Sequence, residues 1–255
     1  MLKNYHNLKK LEAFVNFGFF TSLGGISKGD YYSLNCNSKS EDKKINIKTN
    51  IKLALKKLGI ERNRIKLINQ IHSKKIFQIN NINYKKKISG DGLITMEKKL
   101  ALGVLTADCA PIFIFDIQKT IICCLHAGWQ GTLSNIVNES ILKLENKNIK
   151  KDNIIAIVGP CLGFTNYEVN KNFKMKFLKK NRSYSKFFKS KNNKKDLFNL
   201  RGILNYQLGK SGISEIYNIN KDTYIKTNNF FSYRRSTHQK KIKSGRMINI
   251  ISLRD

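Results

Sequence analysis

Between residues 91 and 145 three short, almost wholly apolar runs follow one another, at 100–105, 111–115 and 121–125. Each is short for a helix and lacks the apolar/polar alternation of a strand with one wet face. Runs so short and apolar are what strands buried on both faces look like. After the third run the period changes: Leu133, Ile136, Val137, Ser140, Ile141 and Leu144 fall on one helical stripe. The stretch "CCLHAGWQG", residues 123–131, therefore puts His126 where a buried strand gives way to a helix.

The remaining segments mix strands and helices. "FVNFGFFTSLGGISKGDYYSLN" predicts a strand, a turn at Gly24 and Gly25, and a loop; residues 43–58 predict a helix ended by Gly59. "RIKLINQIHSKKIFQIN" predicts two short strands flanking His72, and "NIIAIVGPCLGFTNYEV" a strand running into glycines. "LFNLRGILNYQLGKSGI" predicts a helix ending at Gly209 or Gly212. "FFSYRRSTHQKKIKSGRMINIISL" predicts an aromatic strand, a basic loop and a final strand. Residues 179–196 are polar and lysine-dense and are expected to form a surface loop, leaving one domain over residues 1–255. No internal repeat is visible.

A charge of +31, from 48 Lys and Arg against 17 Asp and Glu, raises nucleic acid or an anionic membrane as partners. The excess is nearly all Lys, spread along the chain and accompanied by Asn and Ile, the composition that an AT-rich genome writes on a permissive surface. No nucleic-acid-binding signature accompanies it. Neither a specific nucleic-acid partner nor a membrane is expected. The five cysteines (36, 109, 123, 124 and 161) are odd in number and contain no Cys-x-x-Cys pair, which suits a reducing compartment. Lys3, Lys9 and Lys10 precede "LEAFVNFGFF", but Glu12 and Asn16 interrupt it, no small-residue cleavage site follows, and no run approaches the length of a membrane span. A cytoplasmic, monomeric or small homo-oligomeric protein is expected.

Of four histidines, His6 and His238 lie in Lys-rich polar surroundings and read as surface residues, whereas His72 and His126 follow apolar residues at strand ends, as Cys109 does after "GVLTAD". His72 and Cys109 are 37 residues apart and Cys109 and His126 17, so only the fold can unite them. If the runs at 100–105 and 121–125 are neighbours in one sheet, their ends bring Cys109 to His126. Two imidazoles and a thiolate could hold a divalent metal with a fourth position open, the arrangement of a catalytic site. Alternatively Cys109 is a small buried hydrophobe and each histidine is simply hydrogen-bonded.

"NQIHSKKI", "DGLIT", "TADCAPIFIFD", "LHAGWQGT", "VGPCLGFTNYEV" and "FFSYRRSTHQKKIKSGRM" occur in this order and resemble the successive signatures of the YfiH family, also called laccase-domain or polyphenol oxidase proteins, purine nucleoside phosphorylases and peptidoglycan editing factors. "FGFFTSLGGISKGDYYSLN" resembles the family's N-terminal signature, so the likeness spans residues 15–252. It implies a mixed α/β (α+β) fold, a layered α/β/β/α sandwich likened to cysteine hydrolases, and one Zn2+ held by His72, Cys109 and His126. Copper could enter the same donors in vitro. The implied activity is phosphorolysis of adenosine, inosine and methylthioadenosine to base and ribose 1-phosphate, with adenosine deamination alongside, since a metal with an open position can supply hydroxide near neutrality.

Phosphorolysis also needs a phosphate site. The candidates are the amides at the helix start after Gly128 and Gly131, with Arg234, Arg235 and Arg246 as guanidinium partners or as structural arginines. The same glycines would let a substrate approach the backbone. Asp91 is a candidate general base or orienter of the metal's water, or else the cap of a turn before Gly92. Asp108 is read as a local hydrogen-bonding residue. The family usually has arginine after the tryptophan of "HAGW" and in an N-terminal "TRxGG", where this chain has Gln130 and Ser22; neither offers a charged bidentate fork. Two rival enzyme readings are a metal-free Cys109 nucleophile with a histidine base and an amidase acting on peptidoglycan precursors. A multicopper oxidase would need ligands beyond the two histidines that remain.

Overall fold

The computed structural model describes residues 6–60, 62, 64–241 and 243–254; Lys3 and the side chain of His6 lie outside what it describes. In chain order the elements are α1 (His6–Lys9), β1 (Val15–Phe19), α2 (Lys44–Lys57), β2 (Arg64–Leu67), β3 (Ile76–Gln78), β4 (Gly92–Thr95), β5 (Leu100–Thr106), β6 (Ala110–Asp116), β7 (Ile122–Ala127), α3 (Trp129–Leu133), α4 (Ile136–Glu145), β8 (Ile154–Val158), β9 (Glu168–Asn170), α5 (Lys171–Lys180), β10 (Phe188–Ser190), β11 (Lys195–Phe198), α6 (Leu200–Lys210), β12 (Glu215–Asn218), α7 (Tyr233–His238) and β13 (Met247–Leu253). They build a four-stranded sheet in the order β1-β13-β5-β2, a six-stranded sheet β12-β8-β6-β7-β4-β3, and a three-stranded sheet β10-β11-β9. Both larger sheets are mixed: β2 runs parallel to β5 and β3 to β4, while β6 is antiparallel to β7 and β8.

Because side chains alternate along a strand, each central strand feeds two cores. Phe113, Phe115, Ile122 and Cys124 meet Leu102, Val104 and Ile251 between the two larger sheets. Their neighbours Ile112, Ile114, Cys123 and Leu125 turn outward onto Val137, Ile141 and Leu144 of α4 and Ile203, Leu204 and Leu208 of α6. On the far side, Ala101, Ile248 and Ile250 pack on Ala54 and Leu55 of α2. This is the mixed α+β, layered α/β/β/α arrangement that the family resemblance implies, and its central strands are covered on both faces as their apolar runs predict. Phe113 stacks on Phe19 at 4.3 Å between ring centroids in the central core; truncating such a side chain to Ala costs about 3–5 kcal/mol.

Four expectations need correction. First, β5 and β7 are not neighbours in one sheet: β5 pairs with β13 and β2, and β7 with β6 and β4. The short turn after β5 carries the chain from one sheet to the other, so it is β6 that brings Cys109 beside His126. Second, the stripe at 133–144 is interrupted: Asn135 takes a left-handed φ of 59° and its side chain accepts the Asn138 N–H, starting α4 afresh. Third, residues 179–196 are not one surface loop. They hold the end of α5, a 3-10 turn (Arg182–Phe187), β10 and the start of β11. Tyr184, Phe187 and Phe188 are buried there, and Phe188 stacks on Phe198 at 5.0 Å. The lysines reported only the solvent face. Fourth, "FFSYRR" is no strand: the Ser232 side chain accepts the Arg235 N–H and starts α7, leaving β13 as the expected final strand.

Candidate active site

The ends of β2, β5 and β7 and the starts of β6 and β13 share one edge of the layered body, because the β5–β6 turn joins the two sheets there. Pro111 of β6 stands opposite His126 of β7 in register, and Cys109 is the residue just before β6. Its predecessor Asp108 takes a left-handed φ of 88°. That uncommon conformation is fixed by three hydrogen bonds: the carboxylate accepts from Thr223 Oγ1 at 2.6 Å and the Arg234 N–H at 2.7 Å, and the carbonyl from the Leu162 N–H at 2.9 Å. Asp108 thus acts locally, as expected. Burial pushes its carboxyl above the ordinary carboxylate range.

His72 lies in the loop between β2 and β3, also at a left-handed φ, 58°. Asp91, fully buried just before β4, organises this loop. Its carboxylate accepts from the His72 N–H at 3.0 Å, the Ser73 N–H and the Ser73 hydroxyl at 2.8 Å, and it sits 2.8 Å from His126 Nδ1. Burial works against its charge, but these donors, His126 foremost, hold its carboxyl below the usual value. So engaged, the carboxylate ties the loop that carries His72 to one ring nitrogen of His126 and leaves the other ring nitrogen of His126 free of it.

The imidazoles of His72 and His126 are 5.0 Å apart between centroids and steeply inclined, and Cys109 Sγ is 4.0 Å from His72 Nε2. One donor atom from each of the three lies within 4.8 Å of the others, and among the described residues no other such His/Cys/Asp/Glu group occurs. His126 is buried, Cys109 half-buried and His72 exposed, so the group opens on His72's side. Burial alone would raise the Cys109 thiol; His126 and then His72 overcome it and hold it down at about 6. Burial would lower His126, but Cys109 and Asp91 push it up to about 9. Gly128 makes room for the group: a Cβ there would lie 2.9 Å from Cys109 Sγ and 3.0 Å from His72 Cδ2.

A cavity of about 970 Å³ opens over these three side chains. Trp129, Tyr167 and Phe173 line one lip, and Lys39, Asn69 and Arg246 the other. Phe173 lies 5.2 Å from Trp129 and 6.4 Å from Tyr167 between ring centroids. Arg234 also lines the cavity, but its guanidinium donates to the carbonyls of Glu168 at 2.9 Å and Asn166 at 3.4 Å and covers the Tyr167 ring.

Three proposed phosphate contacts, Gly128, Gly131 and Arg235, do not line the cavity, Gly128 standing behind it against Cys109 and His72. Arg235 spends its guanidinium on the carbonyls of Thr223, Tyr224 and Phe230, which makes it a staple for the segment before α7. Gly131 is buried within α3, where a Cβ would come 3.2 Å from the Ser73 carbonyl. Ser22 also lies elsewhere, its hydroxyl and N–H both donating to the Asn229 carbonyl, whereas Gln130 does line the cavity. His238 is exposed and pairs with the Tyr224 hydroxyl at 3.0 Å. Sequence reasoning missed Tyr167, Phe173, Lys39 and Asn69. The only local signal was the aromatic content of "NYEVNKNF", which is equally that of a core segment.

A model of the family described as multi-copper polyphenol oxidoreductase laccase matches residues 16–254. A purine nucleoside phosphorylase of Rickettsia prowazekii is 35% identical over 179 residues, covering 68% of this chain and 72% of its own length. One of Haemophilus influenzae is 28% identical over 250 residues, covering 97% of this chain and 96% of its own. Among solved structures, Bacillus licheniformis YfiH superposes with a TM-score of 0.87 at 25% identity, over 94% of this chain and 93% of that one. No helix among the described residues is long and apolar enough to cross a membrane.

Proposed function

The chain belongs to the YfiH family, whose model carries the laccase description, and on that footing we propose that it is a zinc-dependent purine nucleoside phosphorylase acting on adenosine, inosine and methylthioadenosine. One observation carries the reading: two imidazoles and a thiolate converge at the mouth of a cavity large enough for a nucleoside, beside a lip of three aromatic rings. Volumes of about 300–1,000 Å³ are usual for small-molecule sites, and planar bases stack on aromatic side chains with useful energy.

The donor set fits a divalent metal of zinc's type: one sulfur, two ring nitrogens, a carboxylate behind one histidine, and a glycine where any Cβ would crowd the ligands. His72, Cys109 and His126 would hold it. When bound, such an ion supplies Lewis acidity and, at its open position, lowers the proton affinity of a water; the latter suits the accompanying deamination of adenosine. In phosphorolysis the C1′–N9 bond breaks with its electron pair going to the base, a phosphate oxygen forms the new bond to C1′, and the proton that phosphate gives up ends on the base. Trp129, Tyr167 and Phe173 orient the base, the cavity's arginines balance anionic charge, and Asp91 keeps His126 in one tautomer. Several coppers would need several donor sets, and the described residues provide one.

The low-lying Cys109 thiol beside His126, with Asp91 behind it, also favours a second reading, a cysteine amidase editing cell-wall precursors. A nucleophile needs one imidazole, however, and the second, His72, is what a ligand set adds. Metal-loaded protein should release base and ribose 1-phosphate from adenosine or inosine, and adenine and 5-methylthioribose 1-phosphate from methylthioadenosine, only when phosphate is present. Base release indifferent to phosphate, or turnover unchanged after complete chelation, would overturn the proposal; amide cleavage surviving chelation would establish the second reading.

A further inference from the structure

Resting on that reading, we infer that inorganic phosphate binds at the lip formed by Lys39, Asn69 and Arg246, and that Lys39 sets phosphate affinity in this chain. The cavity's two lips come from different sheets. Trp129 continues from β7 of the six-stranded sheet, and Tyr167 and Phe173 flank β9 beside it. Asn69 follows β2, and Arg246 immediately precedes β13, both in the four-stranded sheet.

Segment 35–39 binds the second lip together. The Arg246 N–H donates to Asn35 Oδ1 at 3.1 Å, and the Cys36 N–H returns a bond to the Arg246 carbonyl at 3.1 Å. Asn37, held by Asn35 Oδ1, accepts the Lys39 N–H in turn. Lys39 therefore stands on the segment to which the Arg246 backbone is hydrogen-bonded, and both residues line the same cavity.

Their charge is uncommitted. The Arg246 guanidinium donates from Nη1 to the carbonyls of Gly245 at 3.0 Å and Ser244 at 3.3 Å. Lys39 Nζ reaches Asn69 Oδ1. Among the described residues neither has a carboxylate in ion-pairing range, whereas Lys171, Lys191 and Lys195 around the aromatic side are paired with Asp196 or Glu168. Arg234, the cavity's other guanidinium, is bound to carbonyls and lies over Tyr167. A tetrahedral oxyanion is the ligand that a guanidinium fork, an ammonium and an amide suit together. With the base on the aromatic lip and phosphate on this one, a nucleoside spans the His72–Cys109–His126 group between them.

The test is titration of metal-loaded protein with inorganic phosphate by calorimetry, alongside steady-state kinetics with inosine. Lys39→Met should weaken phosphate binding and raise the phosphate KM about threefold to tenfold, leaving the inosine KM within about twofold and metal content unchanged. Arg246→Met should have the larger effect, about tenfold or more; because that residue is half-buried, exposed Lys39 keeps the test decisive if it fails to fold. Lys98→Met, which removes the same charge in the turn between β4 and β5 at the opposite edge, controls for net charge. Phosphate affinity unchanged in Lys39→Met, or weakened equally in Lys98→Met, overturns the inference. If phosphate binds and Lys39→Met weakens it although no nucleoside is cleaved, the subsite stands and the proposed reaction falls.

Discussion

His126 and Phe173 both face the cavity, yet they are held by different means. His126 is the penultimate residue of β7, a strand flanked by β6 and β4, with its ring tied to a fully buried carboxylate. Phe173 sits in the first turn of α5, a lysine-rich helix entered from the short strand β9, on a small sheet whose neighbouring ion pairs lie near solvent. The first region is fixed by ladder hydrogen bonds and close packing and should accept almost no change. The second can yield without disturbing the first. If this is right, substitutions at the donor edge abolish metal binding and turnover together, while those on the aromatic lip move substrate affinity alone.

The largest effect is expected for His126→Ala. Removing one of three donors should empty the site of metal and lower phosphorolysis at least about 1,000-fold, as read by metal per chain and by ribose 1-phosphate formed. Turnover retained without metal would break the contrast at its strongest point. Next comes Gly128→Ala. The backbone there, at φ −80° and ψ 177°, suits alanine, so the substitution isolates the crowding of a methyl group 2.9 Å from Cys109 Sγ. Metal affinity should fall about 10–100-fold with an unchanged circular-dichroism spectrum. An unaltered metal affinity would mean that the donors move more freely than the buried edge allows.

The same contrast explains what could be read from sequence. Buried strands announce themselves by uninterrupted apolar runs, so the strands covered on both faces, and the placing of His126 near the end of β7, are legible. The ligand set came from the ordered family motifs, not from spacing; the adjacency argued for Cys109 had the wrong strands side by side, because periodicity shows that a strand is covered without showing by what. Asp91 and Gly128 are visible in the sequence, but what they do depends on distances across the fold: one joins the loop that carries His72 to His126 of β7, the other leaves space for a sulfur. Tyr167, Phe173 and Lys39 lay in stretches whose composition matches any core segment or any lysine-coated surface. Residues 179–196 misled for the same reason, since the lysines on the exposed side outnumber the aromatic residues Tyr184, Phe187 and Phe188 that fold the segment.

On the aromatic lip, Phe173→Leu should raise the inosine KM about threefold to tenfold, the loss of one base-stacking ring, with metal content and phosphate KM unchanged. A simultaneous loss of metal would show that the two regions are mechanically coupled.

The smallest effect is expected at Glu168, whose carboxylate is bound by Lys191 and Lys195 across β9 and the β10–β11 hairpin. Those hydrogen bonds, Lys191's first, hold its carboxyl at about 2, below the ordinary 4.5. A carboxyl depressed in the folded state stabilises above its unfolded value, and that contribution fades as pH falls from about 4.5 toward about 2. Both ammonium groups are well exposed, at 44% and 53%, so solvent screening limits the gain to about 0.2–1 kcal/mol. Glu168→Gln should therefore lower Tm slightly at pH 7, and the difference from the parent should shrink as pH falls below about 4.5 and be lost only below about 2. A difference of constant size across that range would mean that Glu168 supports the lip through its backbone contact with Arg234 or its packing, and that the lip is built more like the donor edge than its exposed ion pairs imply.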